Sequence, residues 1–269
     1  MNRISVFYAN VLDAVKHSGL PLKTVLADIA EAGIEALDID YTQIKDGLPE
    51  KNAESGLAVN TVYAFFDLWK DGAYDEAKRV IDTAMPLGAA VMFVPEKLPK
   101  DAIFSLKGLK DEKSVFSWLD SCDAAVKTAQ ALEKLSVYGN SLGVPVGVEN
   151  FDSDRSLTER KFELQWLFAK APHLLFNLDT GNSVFCGEDI NELYSLFREK
   201  IMNVHCKDRK TVDGKLCSVA VGEGDMPIAE IKNSLEQSGY SGRYSIEVFG
   251  VTDAYSAIIS SAEYLKRSI

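Results

Sequence analysis

The chain has 269 residues, 46% of them apolar and 26% charged, a size and composition suited to one large globular core. Its 29 basic and 40 acidic residues leave a formal charge of -11, which opposes binding to nucleic acid or anionic membranes unless a local basic patch overrides it. The densest short basic group is Lys207, Arg209 and Lys210, too small to do so.

Cys122, Cys186, Cys206 and Cys217 are scattered, with no C-x-x-C pair. A core of this size needs no disulfide staples, so reduced thiols are expected. The first 15 residues lack the apolar run and cleavage pattern of a signal peptide, and no apolar stretch reaches membrane-spanning length. A cytoplasmic location is the expectation.

Taken in chain order, the first apolar run predicts a strand over 4–8. Pro21 opens a helix with Leu22, Val25, Leu26, Ile29 and Ala30 on one side, and Gly33 stops it. Strands follow over 35–39 and 58–63, then a helix over 73–85. The strand predicted over 89–94 is apolar throughout, as expected where both sides are packed. Residues 95–113 read as a long loop over its carboxyl end, where barrels place lids and substrate walls. A helical period then runs over 114–138. Strands over 144–149, 174–179, 201–206 and 243–248 alternate with helices over 157–170, 188–199, 227–238 and 253–267, Pro227 suiting a first helical turn. No Ser/Gly/Pro-rich linker interrupts the alternation. The expected fold class is α/β, a single (β/α)8 TIM barrel over 1–269. A doubly wound open sheet is the rival, disfavoured because ionisable groups end four late strands.

Those groups are Glu149, Asp179, His205 and Glu247, which close the runs VPVGVE, LLFNLD, IMNVH and RYSIE. Their separations of 30, 26 and 42 residues fit strands that each lead into a helix and return parallel. In a closed barrel the four converge at one end. Three carboxylates and an imidazole make a divalent-metal donor set, with Mn²⁺ or Mg²⁺ favoured and Co²⁺ or Zn²⁺ compatible. Singly, each has a plainer reading. Glu149 is then a solvated strand end, Asp179 a helix N-cap and His205 a neutral core histidine. Glu247 is harder to explain away, because an unpaired buried carboxylate is costly.

Neighbouring residues carry weaker signals. Strand alternation puts Lys207 on the side of His205, while Asp208 either orients the imidazole or caps a loop. His17 and His173 read as ordinary histidines away from the proposed metal. The amides of Gly222-Glu223-Gly224-Asp225 suit an anion, although the two acids favour a shaping turn. Among Phe7, Tyr8, Phe65, Phe66 and Trp69, core packing is the default, and Phe7 and Phe66 are the residues assigned to an aromatic wall against a sugar.

The segments Asp179-Thr180-Gly181-Asn182, Val204-His205-Cys206-Lys207-Asp208-Arg209, Val221-Gly222-Glu223-Gly224-Asp225 and Gly239-Tyr240-Ser241-Gly242 before Ile246-Glu247 resemble the late-strand pattern of the xylose-isomerase-like TIM-barrel superfamily. The branch is that of sugar phosphate isomerases and epimerases, with ketose 3-epimerases, inosose dehydratases and hydroxypyruvate isomerases. The likeness spans the chain, the first half matching in layout only. It implies a metal-dependent isomerase or epimerase acting on a small sugar, cyclitol or hydroxy-keto acid. Glu149, Asp179, His205 and Glu247 match the family's metal ligands. Glu149 and Glu247 are also its catalytic pair, one removing a proton beside a polarised carbonyl and the other returning one to the enediolate. Phe7, Asp38, Phe66, Asn182, Lys207, Asp208 and Arg209 are candidates to touch substrate or support the ligands.

Two positions depart from the pattern. Asn182 stands where many relatives have a histidine, and it cannot titrate near neutrality. At the tip of the second strand Asp38, or less well Asp40, stands where many have a glutamate. These departures keep open a noncatalytic sugar- and metal-binding barrel. A metal-dependent phosphodiesterase like the apurinic-site endonucleases needs a histidine-rich three-zinc cluster, for which three histidines do not suffice. The expected partner is a small polyhydroxylated substrate, with neither nucleic acid nor membrane, in a homodimer or homotetramer as among relatives.

Overall fold

The computed structural model describes residues 3–45, 55–95, 97–153 and 155–267. Its strands are β1 (Ile4–Phe7), β2 (Ala36–Asp40), β3 (Ala58–Phe66), β4 (Ala90–Pro95), β5 (Val146–Glu149), β6 (Leu175–Asp179), β7 (Ile201–Cys206), β8 (Asp208–Val212), β9 (Lys215–Val219) and β10 (Arg243–Ile246). Eight of them close a barrel in the order β1–β10–β7–β6–β5–β4–β3–β2, and β8 and β9 form a separate two-stranded sheet. The expected (β/α)8 architecture is present, with each barrel strand within a few residues of its predicted span.

The chain divides into two compact units, one of Met1–Thr61, Leu178–Gly181 and Asn203–Ile269, the other of Val62–Asn177 and Asn182–Met202. In the first, β1 pairs parallel with β10 (Ser5 opposite Ser245) and with β2 (Phe7 opposite Asp38), and β10 pairs with β7 (Ser245 opposite His205). In the second, β5 pairs parallel with β4 and β6. Its core includes the fully buried Phe93, Val148 and Phe176, with Phe176 edge-on to Phe168 and Phe197.

The first unit also buries a polar cluster contributed by five strands. Asn60 donates to Asp38 Oδ1 (2.7 Å), Asn203 Oδ1 (3.1 Å) and Ser5 Oγ (3.2 Å). Ser5 and Ser245 are 2.8 Å apart, and Thr61 donates to Asp38. Each of these side chains has at least one partner, which limits the penalty of burying it. Asp38 Oδ2, alone among the carboxylate oxygens of the cluster, has no hydrogen bond among the described residues. Barrel interiors are more often filled by branched apolar side chains, so this polarity is a property of the particular chain.

Several connections differ from expectation. The segment 95–113, read as a long loop, holds a helix at Lys100–Lys107, and the next helix starts at Glu112. Pro99 precedes the first of these, and Ile103 and Leu106 supply its buried face. Glu96 lies outside the described residues. The single helix expected over 114–138 is two, Glu112–Ser121 and Asp123–Ser141, separated by Cys122 in extended backbone (φ -91, ψ 105). A helix at Tyr8–Ser18 follows β1 without a loop, and its C-terminal N–H partner is Gly19 at φ 70. An additional short helix, Ser183–Cys186, precedes the helix expected over 188–199, which is present at Ile190–Phe197.

Candidate metal centre

Glu149 is the last residue of β5 and Asp179 the last of β6, His205 is the fifth of the six residues of β7, and Glu247 directly follows β10. The carboxyl ends of parallel strands face the same way, so a closed ring brings these positions to one end. All four side chains are buried, and each offers one donor atom such that these atoms lie within 4.8 Å of one another. His205 Nδ1 is 3.3 Å from Glu247 Oε2 and 3.9 Å from Asp179 Oδ2. Burying three carboxylates together is unfavourable unless positive charge accompanies them. An oxygen-rich set with one imidazole therefore suits a divalent cation, held by these four residues.

One positive charge is built into the chain. Lys207 is buried, with its ammonium 2.5 Å from Glu247 Oε1 and 3.3 Å from Asp179 Oδ2. Burial by itself would push the Glu247 carboxyl up. The Lys207 charge and the His205 hydrogen bond outweigh it and bring the pKa down to about 2. Lys207 was expected to touch substrate or support the ligands from the side of His205, and its ammonium reaches two of the candidate carboxylates directly.

Asn182, one of the two positions that depart from the family pattern, has a definite task. Its amide donates to Glu149 Oε1 at 2.9 Å and to the Asn150 carbonyl at 3.1 Å, which fixes the direction of that carboxylate. Asp179 accepts from the Gly181 amide (2.8 Å), so it serves a turn as well as the cluster. Phe7 packs edge-on against the His205 ring, with centroids 4.7 Å apart, and also meets Phe249. It therefore buttresses the imidazole.

The remaining candidates are used elsewhere. Asp208 caps a loop, accepting from the amides of Gly222 (2.8 Å), Gly224 (3.0 Å) and Met226 (3.1 Å). The amide-rich turn 222–226 thus holds an anion, and the anion is the chain's own carboxylate. Asp38 is committed to Asn60 and Thr61. Arg209 donates to Ser218 across the β8–β9 pair (2.6 Å) and lines a cavity of about 650 Å³ that includes none of the four candidate ligands. Phe66 packs edge-on against Phe93. His17 accepts from the Ala254 amide, and the exposed His173 pairs with Glu133, both roles being structural.

Sequence reasoning passed over Thr180 and Gly181 as individual residues, although both lie in the quoted motif. Thr180 Oγ1 donates to the carbonyl oxygens of Lys207 (2.9 Å) and His205 (3.1 Å) and accepts from the Lys207 amide (3.0 Å). Nothing local to Asp179-Thr180-Gly181 announces a partner 27 residues away.

The sequence profile of the xylose isomerase-like TIM barrel family matches residues 26–268. The chain belongs to that family. No curated protein matches it by sequence. A sugar phosphate isomerase/epimerase from Parabacteroides distasonis superposes with a TM-score of 0.69 at 14% identity, over 99% of this chain and 94% of its own. The IolI protein with a bound zinc atom gives 0.70 at 18% identity, over 98% and 96%. A xylose isomerase-like TIM barrel protein from Mycobacterium smegmatis in complex with magnesium gives 0.66 at 17% identity, over 90% and 86%. At such identities these superpositions establish a shared fold, in keeping with family membership.

Proposed function

We propose that the chain is a divalent-metal-dependent isomerase or epimerase, acting on a small sugar, cyclitol or hydroxy-keto acid. The observation that carries this reading is the convergence of two buried glutamates with an aspartate and a histidine at strand carboxyl ends. Fold neighbours named as a sugar phosphate isomerase/epimerase and as zinc- and magnesium-bound proteins support it. Mn²⁺ or Mg²⁺ suits the three carboxylates best.

The residues divide the work as follows. Glu149, Asp179, His205 and Glu247 would hold the cation, which when bound polarises a substrate carbonyl and eases loss of the neighbouring proton. Glu149 and Glu247 supply the base and the acid for proton removal and return at carbon, by way of an enediolate. The Asn182 amide aims the Glu149 carboxylate. In the metal-free protein Lys207 and His205 keep Glu247 ionised at neutral pH, the state in which a carboxylate takes up a cation. Burial of the whole set excludes competing water.

The test is solvent exchange. Metal-loaded protein is incubated in D₂O with a panel of ketoses, cyclitols and hydroxy-keto acids, and deuterium at the carbon beside the carbonyl is followed by NMR. Wild-type protein is expected to exchange at least one of them. Glu149→Gln and Glu247→Gln should lower that rate by about 10²–10⁴-fold with unchanged circular dichroism. Exchange that persists in Glu247→Gln would overturn the mechanism. Tight sugar binding without exchange would establish a noncatalytic barrel instead.

A further inference from the structure

Lys207 occupies a path that three consecutive residues prepare. Asp179 meets its ammonium. Thr180 clamps its backbone on both sides, through the amide and the carbonyl. Gly181 admits its stem, because a Cβ there would come within 2.7 Å of Lys207 Cγ and 3.0 Å of Cδ, closer than carbon atoms approach without something moving. The ammonium ends 2.5 Å from Glu247, a second candidate ligand. A lysine whose amine merely capped a surface would need none of this, since its long stem normally runs to solvent.

The charges explain what the path is for. Three carboxylates within one buried cluster repel each other strongly at the low effective dielectric of an interior. An ammonium between two of them relieves that repulsion in the metal-free protein. It also puts a positive charge against the carboxylates that a divalent cation needs.

We propose that Lys207 is the resident counter-cation of the centre: its ammonium holds Asp179 and Glu247 in place until a divalent cation arrives, and must then leave those oxygens. This rests on the reading of the four residues as a metal centre. It assigns Lys207 a positioning role that neither the donor set nor the shared fold supplies. The centre exchanges one cation for another and is never left as an uncompensated cluster of acids. Metal affinity is correspondingly restrained by the lysine that stabilises the metal-free state.

The experiment is calorimetric titration of metal-stripped wild type, Lys207→Met, Lys207→Gln and Asp179→Ala with Mn²⁺. Removing the competing charge is expected to tighten Mn²⁺ binding by at least about tenfold, whereas Asp179→Ala loses it. Metal-free Lys207→Met should unfold several degrees below wild type, with the deficit erased by saturating Mn²⁺. In the unmutated protein, reductive methylation read by peptide mass spectrometry should show Lys207 protected without metal and labelled faster with saturating Mg²⁺. That measurement decides the matter even if the lysine variants do not fold. Wild-type affinity in both variants, or unchanged Lys207 labelling on metal saturation, would overturn the inference while leaving the metal centre standing. If neither wild type nor the lysine variants bind Mn²⁺, the metal reading falls and the inference falls with it.

Discussion

Asn182 and Glu247 illustrate how neighbours settle what a side chain can do. The Asn182 amide reaches both Glu149 and the Asn150 carbonyl, so it fixes a carboxylate without carrying a proton of its own to exchange near neutrality. Residues that orient metal ligands typically contribute 10–100-fold to affinity. Asn182→Ala is therefore expected to weaken Mn²⁺ binding by about that factor in a calorimetric titration, with the fold intact by circular dichroism. Glu247 leads to a pH prediction. Its folded pKa is depressed to about 2, below the ordinary carboxylate value near 4.5. A depressed acid contributes stability in full above the unfolded pKa and loses it as pH falls through the folded one. Metal-free wild type should accordingly lose stability between about pH 4.5 and pH 2. Urea unfolding across that window should show a shallower loss in Glu247→Gln, and parallel curves would refute the assignment.

At the scale of elements, the connections were less legible than the strands. The β8–β9 pair turns through Asp213 at φ 51 and Gly214 at φ 75, the left-handed pair that a two-residue hairpin requires. Asp-Gly is a strong hairpin signal, and it was missed because the strands beside it are mostly exposed and form no apolar run. Gly214→Val should cost about 1–2 kcal/mol, since a branched residue resists that backbone, and the loss should appear as a lower urea midpoint. The helix at Tyr8–Ser18 was missed for another reason: Phe7 precedes it with no side-chain cap, so the usual start signal is lacking. Cys122 divides two helices without a proline or glycine to mark the break. By contrast, Pro21 and Gly33 bracketed Leu22–Glu31 closely, because those residues act on their own backbone.

For the molecule as a whole, closure of eight strands is what turns four separated residues into one cluster. A cation bound there stabilises only the folded chain, since no preformed site exists when the strands separate. Mn²⁺ at one hundred times its dissociation constant is expected to add about 2.7 kcal/mol to unfolding stability. Thermal unfolding with and without metal measures this, and Asp179→Ala should abolish the gain. A gain of equal size in the Asp179→Ala protein would place the binding elsewhere. Among the described residues no helix is long and apolar enough to cross a membrane.

The alternation of strand and helix, and the identity of Glu149, Asp179, His205 and Glu247, were determined by the sequence alone. Both are local: apolar runs and periodicity report burial on nearby backbone, and a residue ending such a run is placed by it. Tertiary structure alone decided which charges meet. Asp208 was captured by amides 14 to 18 residues away, and Lys207 was carried past Gly181 to Asp179 and Glu247. Those outcomes depend on side-chain reach and on strands brought together by closure, and no run of neighbouring residues encodes either.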